Sequence, residues 1–173
     1  MPGGPAAGAT QYFFGPDSTM TTTPDRTLTL DDVRALFQRH DLRCTRQREL
    51  VYAALAESKA HPTAEDLHLA VHATDPGLSL ATVYNTLEAF LACGLGRKLP
   101  AADGSGPCRY DADTAPHVHL ATDDGRVLDV PPDLSERLLA CVSPELIGEI
   151  ESRMGVRVRR LNVQVVAHAP REA

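Results

Sequence analysis

Apolar residues recur at helical spacing through the first half of the chain, from residue 28 to residue 94. A repeat of three or four residues places apolar side chains on one face of an α-helix. Thr45, Thr63 and Ser79 stand where N-caps are expected, and Gly94 ends the last apolar stripe. The pattern predicts helices in the segments 30–40, 45–58, 61–73 and 79–94.

Short alternating segments come next. "LGRKLPA" and "PCRYDA" flank the polar turn "ADGSG", a pattern typical of a β-hairpin. Helices followed directly by a hairpin predict a winged helix-turn-helix over residues 28–111. Residues 112–173 change to strand, turn, strand and helices, and their end (156–169) alternates as a strand with a bulge at Arg159–Arg160. The predicted fold class is α+β, with an N-terminal winged helix-turn-helix domain and a C-terminal α+β domain.

The first 27 residues are rich in Pro, Gly, Thr and Ala and have no hydrophobic period. This composition predicts a disordered tail. Met20 lies within it and is a second possible start of the chain.

Composition narrows the class of protein. The four cysteines form no C-x-x-C pair, which argues against a cysteine zinc site and against a secreted disulfide scaffold. No apolar run approaches the roughly 18 residues of a membrane span, and no secretory signal is visible. We therefore expect a cytoplasmic protein. The net charge of −6 provides no general basic patch, so any contact with DNA must come from a few arginines on one face.

One stretch, "HVHLATDDGRVLD" at 117–129, carries candidate chemistry. A three-residue turn at 123–125, with Gly125 in the left-handed region, pairs residue 122 with residue 126. His119 then lies opposite Asp129, and His117 is the next residue on the same face. The three side chains are either one wall of a metal site or ordinary polar surface groups.

Four segments, in this order and spacing, resemble the ferric uptake regulator (Fur) family of metal-dependent repressors. They are "TRQRELVYAAL", "HPTAEDL", "LSLATVYNTLEAF" and "RYDADTAPHVHLATDDGRVLDV". The resemblance implies a winged-helix domain, a C-terminal dimerisation and metal-sensing domain, and a homodimer that represses transcription at a double-stranded DNA operator. It implies no small-molecule substrate, no membrane partner and no enzymatic activity.

The resemblance also implies a regulatory metal site on both sides of the hinge between the domains. Three imidazoles and two carboxylates suit one divalent ion per subunit, Fe(II) or Mn(II), with Zn(II) possible. The family's ligand positions are occupied here by His61, Asp111, His117, His119 and Asp129.

Helical periodicity and the resemblance together predict a DNA-reading helix at 79–94. Its apolar stripe faces the core, which leaves Thr86 and Glu88 outward together with the residues expected at DNA. Asn pairs bidentately with adenine, and Ser or Thr can serve a base or a phosphate. The predicted DNA contacts are Arg48, Ser79, Thr82, Tyr84 and Asn85.

Two residues resemble the peroxide-responsive (PerR) branch of the family: Asp129 where iron-sensing members more often have Glu, and Asn85 where they often have Arg. In that branch bound Fe(II) reacts with hydrogen peroxide and oxidises ligand histidines, which implies His61 and His117 here. The chain departs from the family in lacking both C-x-x-C pairs, so we expect no structural zinc held by four cysteines. The His119-to-Asp129 interval is also one residue shorter than usual.

Other readings stay open at this point. The chain could be a plain iron, manganese or zinc uptake regulator, a regulator that no longer needs metal, or a metalloenzyme that uses the same cluster to activate water or oxygen. We interpret the remaining histidines as ordinary polar residues, although His68 and His72, four residues apart on one predicted helix, could chelate a metal. We interpret the cysteines at helical or strand positions as small apolar fillers, with thiol sensors as the alternative for Cys93 and Cys108.

Overall fold

The computed structural model of the protein describes residues 28–102, 104–158 and 160–169. The tail predicted over residues 1–27 lies outside them. The described chain mixes helix and sheet, so the predicted α+β class is confirmed. Its elements are α1 (Leu30–Arg39), α2 (Arg46–Glu57), α3 (Ala64–His72), α4 (Leu80–Ala92), β1 (Arg97–Leu99), β2 (Arg109–Asp111), β3 (His119–Thr122), β4 (Val127–Asp129), α5 (Pro132–Leu139), α6 (Pro144–Met154) and β5 (Gln164–Ala167).

The first four helices begin at side-chain caps. The Thr63 hydroxyl accepts from the Asp66 amide while the Asp66 carboxylate accepts from the Thr63 amide, a reciprocal pair that satisfies two orphan donors of α3. Thr45 and Ser79 cap α2 and α4 as predicted, each accepting from the amide three residues on. These caps fix where each helix starts, and therefore which side chains face inward.

An aromatic cluster centres the helical core. The rings of Phe37, Tyr52 and Phe90 come from three different helices, with centroids between 5.2 and 5.7 Å apart. Two of the three pairs meet edge to face, the geometry that the ring quadrupoles favour. Burial of this cluster, with the aliphatic residues around it, fixes the orientation of α4 on α1 and α2.

The predicted hairpin after α4 is present. β1 and β2 pair antiparallel, with Arg97 opposite Asp111. A Cβ at Gly96 would lie 3.2 Å from the Asp111 carbonyl oxygen, so this glycine permits a close approach of the two chains. The hairpin ends at Asp111, the last residue of β2.

The second sheet has the order β4-β3-β5. His119 pairs with Asp129 across an antiparallel hairpin, in the predicted register, and Gly125 has a φ of 84° in the turn. β5 pairs parallel to β3, with His119 beside Gln164. This pairing of sequence-distant segments places one histidine of the 117–129 stretch in the centre of a sheet.

The prediction for the chain end was wrong in extent. The strand covers only Gln164–Ala167, and residues 156–158 and 160–163 have no regular structure. Helix α6 is capped by Ser143, has Pro144 in its first turn and ends at Gly155, all as predicted. Two compact units are distinguished: one contains the described residues of 28–141 and 160–169, and the other contains residues 142–158. The domain boundary predicted after residue 111 stays a prediction.

Candidate metal centre

The five predicted metal ligands come together within the larger unit. They are supplied by four places in the fold: the loop before α3, the end of β2, the segment that leads into β3 with the first residue of β3, and the end of β4. In that order the residues are His61, Asp111, His117 with His119, and Asp129.

Two overlapping groups of ligand atoms meet at His119. One contains His61, His119 and Asp129, the other contains Asp111, His117 and His119, and within each group the ligand atoms lie within 4.8 Å of one another. The Nε2 atoms of His117 and His119 are 2.8 Å apart. Three nitrogens and two carboxylates converging in this way form a cluster that can hold a cation.

Each carboxylate faces more than one imidazole. Asp111 Oδ2 lies 3.2 Å from His117 Nε2 and 3.4 Å from His119 Nε2. Asp129 Oδ1 lies 2.9 Å from His61 Nε2, 3.2 Å from His117 Nε2 and 3.5 Å from His119 Nε2. Because negative oxygens stand beside every ring, positive charge is favoured at this point, whether as protons or as a metal ion.

The two carboxylates differ in their exposure to solvent. Asp111 is buried, as are His61 and His119, whereas the Asp129 side chain is 55% exposed. Burial by itself would raise the pKa of Asp111, but hydrogen bonds from His117 and His119 outweigh it and hold the pKa well below the usual range. Asp111 is therefore a fixed negative charge of the site.

The pKa of His117 is shifted in the opposite direction to that of Asp111. Its hydrogen bond with Asp111 raises its pKa above the ordinary value, while burial works against the increase and the Ala115 carbonyl adds to it. His117 Nδ1 lies 2.8 Å from the Ala115 carbonyl oxygen. Since a carbonyl only accepts, Nδ1 carries one proton, and Nε2, which faces Asp111, is the atom that would bind a metal ion in place of a proton.

His61 has two features that are common in residues of functional sites. Its Nδ1 is buried and has no hydrogen-bond partner among the described residues. Its φ is 46°, a left-handed conformation that a residue other than glycine rarely adopts, and Pro62 follows it. Strained residues and unsatisfied buried polar atoms concentrate at functional sites. The residues of this cluster therefore fit a metal ion.

Three residues that the sequence did not single out hold the cluster in place. The buried Ser135 hydroxyl accepts from the amide of Val118, the residue between His117 and His119. Buried Arg97 donates from Nη2 to the carbonyls of Thr114 and Ala115, just before His117. Arg109 donates to the His61 carbonyl. Sequence pattern could have found none of these contacts, because each joins a side chain to a distant backbone group.

The predicted DNA contacts lie on helices α2 and α4 and on the cap of α4. Ser79, Tyr84 and Asn85 are exposed, and Thr82 and Arg48 are half-buried. The Tyr84 hydroxyl donates to Glu65 Oε1 over 2.8 Å, which raises the pKa of Tyr84. The expectation that Thr86 points outward was wrong: it is buried, because it sits on the inner side of α4 beside Leu87.

The other histidines and the cysteines lie apart from the cluster. His68 Nε2 lies 2.9 Å from the Leu78 carbonyl oxygen, and its ring centroid is 5.4 Å from that of His72. Cys44 and Cys141 are exposed and lie outside the helices and strands, whereas Cys93 and Cys108 are half-buried. Cys44 donates to Glu49, and that hydrogen bond raises the pKa of the thiol.

Within the part of the chain that the structure describes, no helix is long and apolar enough to cross a bilayer.

Residues 39–145 match the ferric uptake regulator family. A curated relative, the peroxide operon regulator of Bacillus subtilis strain 168, is 38% identical over 89 residues, which cover 51% of this chain and 60% of that protein. The peroxide-responsive repressor PerR of Staphylococcus saprophyticus is 33% identical over 101 residues, 58% of this chain and 67% of that protein. The match to the Bacillus protein thus spans less than two thirds of its length.

Solved structures share the fold. The ferric uptake regulator of Vibrio cholerae superposes with a TM-score of 0.58 at 21% identity, covering 80% of this chain and 100% of that one. A zinc-bound manganese uptake regulator gives 0.56 at 25% identity, over 83% and 100% of the two chains. The Campylobacter jejuni peroxide stress regulator gives 0.56 at 20% identity, over 84% and 99%.

Proposed function

Since this chain belongs to the ferric uptake regulator family, we propose that it is a metal-dependent transcriptional repressor that binds operator DNA as a homodimer in the cytoplasm. One observation carries the proposal: five competent ligands from four separate places in the fold meet in one cluster. An ordinary polar surface would not bury three of the five, nor leave a buried imidazole nitrogen without a partner among the residues that the structure describes.

The proposed metal is Fe(II) or Mn(II), with Zn(II) possible, one ion per subunit. Imidazole and carboxylate ligands suit these borderline and hard ions, and the absence of cysteine from the cluster argues against Cu(I). His61, Asp111, His117, His119 and Asp129 would hold the ion. The hydrogen bond of His117 Nδ1 to Ala115 presents Nε2 to the site.

The proposed DNA-reading surface is the exposed side of α4. Tyr84 and Asn85 stand exposed on adjacent positions of its second turn, and Ser79 lies exposed at its cap. Asn85 can pair with a base edge, and the hydroxyls can bind phosphate or base. Arg48 on α2 adds a cation for the DNA backbone. Since basic groups are few, we expect a shallow dependence of DNA affinity on salt.

A homodimer is supported by apolar surface left in solvent in each compact unit. Helix α6 buries none of its residues and exposes Leu146, Ile150 and Met154. On β5, an edge strand of its sheet, Val166 is 61% exposed. Apolar faces and an open strand edge are the features that a second copy covers.

Metal binding would control DNA binding because of where the ligands lie. His61 directly precedes Pro62 and the cap of α3, which packs on α4, while His119 and Asp129 belong to the β4-β3-β5 sheet. An ion held by both groups would fix the helices against the sheet. In a dimer this sets the separation of the two α4 helices, and therefore their fit to a pseudo-palindromic site.

Peroxide sensing is the finer part of the proposal. The named relatives of Bacillus and Staphylococcus are peroxide regulators, and the carboxylate at 129 is an Asp. Bound Fe(II) would supply the reduction of hydrogen peroxide. His61 and His117, held against the carboxylates, are the rings that we expect to gain an oxygen atom and to lose their affinity for the metal.

Mass spectrometry tests this part directly. The Fe(II)-loaded protein receives a brief pulse of hydrogen peroxide and is then digested. We expect one added oxygen atom on the peptide containing His61 or His117, with none in the Mn(II)-loaded control. Oxidation confined to cysteines or methionines would contradict peroxide sensing and indicate a plain metal-uptake regulator.

A further inference from the structure

The loop that carries His61 is held by β2 through three consecutive carbonyls. Arg109 Nη1 donates to the carbonyls of Ala60 and His61, at 3.4 and 2.9 Å. The Tyr110 amide donates to the Pro62 carbonyl over 2.9 Å. Two adjacent residues of β2, directly before the ligand Asp111, thus bind the whole loop.

The same guanidinium reaches the other wall of the metal centre. Arg109 Nε donates over 2.8 Å to the carbonyl of Gly125, in the turn that joins β3 to β4. That hairpin positions His119 and Asp129. Arg109 therefore bridges the His61 loop and the hairpin through one rigid group, independently of any ion.

The loop needs such support. His61 has a left-handed φ of 46° and precedes a proline, two constraints that oppose one another in an unsupported chain. Strained conformations of this kind persist only where surrounding contacts over-determine them. Without an ion, the contacts from β2 and the bond of His61 to Asp129 are the ones observed to do so.

We propose that Arg109 is a positioning residue that clasps the two walls of the metal centre together, so that the site is preorganised before the ion arrives. The inference rests on the proposed metal site. The chemistry suits arginine: its planar fork of donors spans two carbonyl acceptors at once, and it keeps its charge at every physiological pH. Lysine has the charge but is a point donor that cannot join both walls.

The experiment compares Mn(II) affinity and backbone protection in matched variants of the full chain. Arg109→Gln removes the charge and most of the fork, and Arg109→Lys keeps the charge only. Arg126→Gln is the control, because Arg126 directly follows the same turn but donates to Asp124 and makes no hydrogen bond with the 60–62 loop. Circular dichroism establishes whether each variant folds. If Arg109→Gln does not fold, the comparison of Arg109→Lys with the wild type decides the outcome.

We expect Arg109→Gln and Arg109→Lys to bind Mn(II) at least about tenfold more weakly, the range found when a partner of a metal ligand is lost. Arg126→Gln should bind as the wild type does. In the metal-free Arg109 variants the Tyr110 amide should exchange hydrogen faster than in the wild type, and saturating Mn(II) should restore its protection. Global unfolding would instead speed the exchange of core amides in α4 as well.

If Arg109→Lys binds Mn(II) as tightly as the wild type does, the positioning role of Arg109 is contradicted, because a positive charge alone would then be sufficient for metal affinity. Unchanged exchange at Tyr110 in the metal-free variants would overturn it too. The proposed function fails in a different way: the wild type would bind no Mn(II), or would bind it equally well after His119→Ala. The two failures are therefore distinguishable.

Discussion

His61 Nε2 lies 2.9 Å from Asp129 Oδ1, although 68 positions separate the two residues in the chain. This single contact joins the loop before α3 to the end of β4. Between them stand His117 and His119, whose Nε2 atoms face the same carboxylate oxygen. The helical part and the second sheet therefore both contribute to one site at this contact. A metal ion bound there would stabilise an interaction that already exists between them.

Removing a ligand should weaken metal binding without unfolding the protein. We expect His117→Ala and Asp129→Ala each to lower Mn(II) affinity by at least about tenfold, since each removes a donor that faces several others. Isothermal titration calorimetry measures the effect. His168→Ala is the control: this histidine is exposed and pairs with Asp123, outside the cluster. Equal affinity in all three variants would exclude the cluster as the site.

Metal affinity should fall as the pH is lowered. A metal must displace any proton on the ligand nitrogens, and the raised pKa of His117 means that protons compete at a higher pH than at an ordinary histidine. The lowered pKa of Asp111 keeps that carboxylate charged throughout. We expect Mn(II) affinity to drop by about tenfold per pH unit for each proton displaced, starting above pH ~6.5. Titrations across the range in which histidine titrates measure the slope, and a flat profile would contradict this ligand set.

The metal-free protein should show the opposite dependence in its stability. A histidine with a raised folded-state pKa stabilises the fold below its unfolded pKa of about 6.5, and that stability is lost as the pH rises through the folded value. We therefore expect the free energy of unfolding in urea, with chelator present, to be larger at about pH 6 than at about pH 8.5. His117→Gln should remove the difference that belongs to this residue. A wild type with the reverse trend, and no change in the variant, would show that the His117–Asp111 pair does not form.

Ser135→Ala should destabilise the protein. The Ser135 hydroxyl is the acceptor for the Val118 amide at 2.6 Å in a fully buried place, and its loss leaves that donor unsatisfied. The expected loss is about 1–3 kcal/mol in the free energy of unfolding. Ser152→Ala on the exposed side of α6 is the matched control and should change stability little. Equal stability of the two variants would mean that another group satisfies Val118.

Asn85→Ala should reduce sequence discrimination on DNA. Asn85 is exposed on α4, and a bidentate contact between Asn and adenine is worth about 1–3 kcal/mol of discrimination. Competition binding measures affinity for a selected operator and for random DNA in parallel. A loss on the operator alone is expected. An equal loss on both would make Asn85 a phosphate contact.

The sequence predicted most of what positions the site. Turn chemistry at Gly125 was sufficient to place His119 opposite Asp129, because a three-residue loop leaves only one register for the hairpin. The caps Thr63 and Ser79 located α3 and α4 for a similar local reason. His61 and Asp111 could be linked to the hairpin only through family resemblance, since no local rule relates residues so far apart.

What the sequence could not predict depends on tertiary packing. The burial of Thr86 is decided by the neighbours of α4 and not by its period alone. β5 lies beside β3 through a parallel pairing that no short turn specifies, and it is shorter than the alternation suggested. The contacts of Arg97, Arg109 and Ser135 with backbone groups leave no periodic signal at all.

On the proposed function, a metal ion in this cluster enables DNA binding. The most direct measurement is the DNA affinity of the wild type and of Asp129→Ala, each with Mn(II) and with chelator, on sites selected from a random library by the Mn(II)-loaded protein. We expect tight binding only by the Mn(II)-loaded wild type, and recovery of DNA binding by Asp129→Ala only at a much higher Mn(II) concentration. Chelator-treated wild type that binds the selected DNA at full affinity would contradict it.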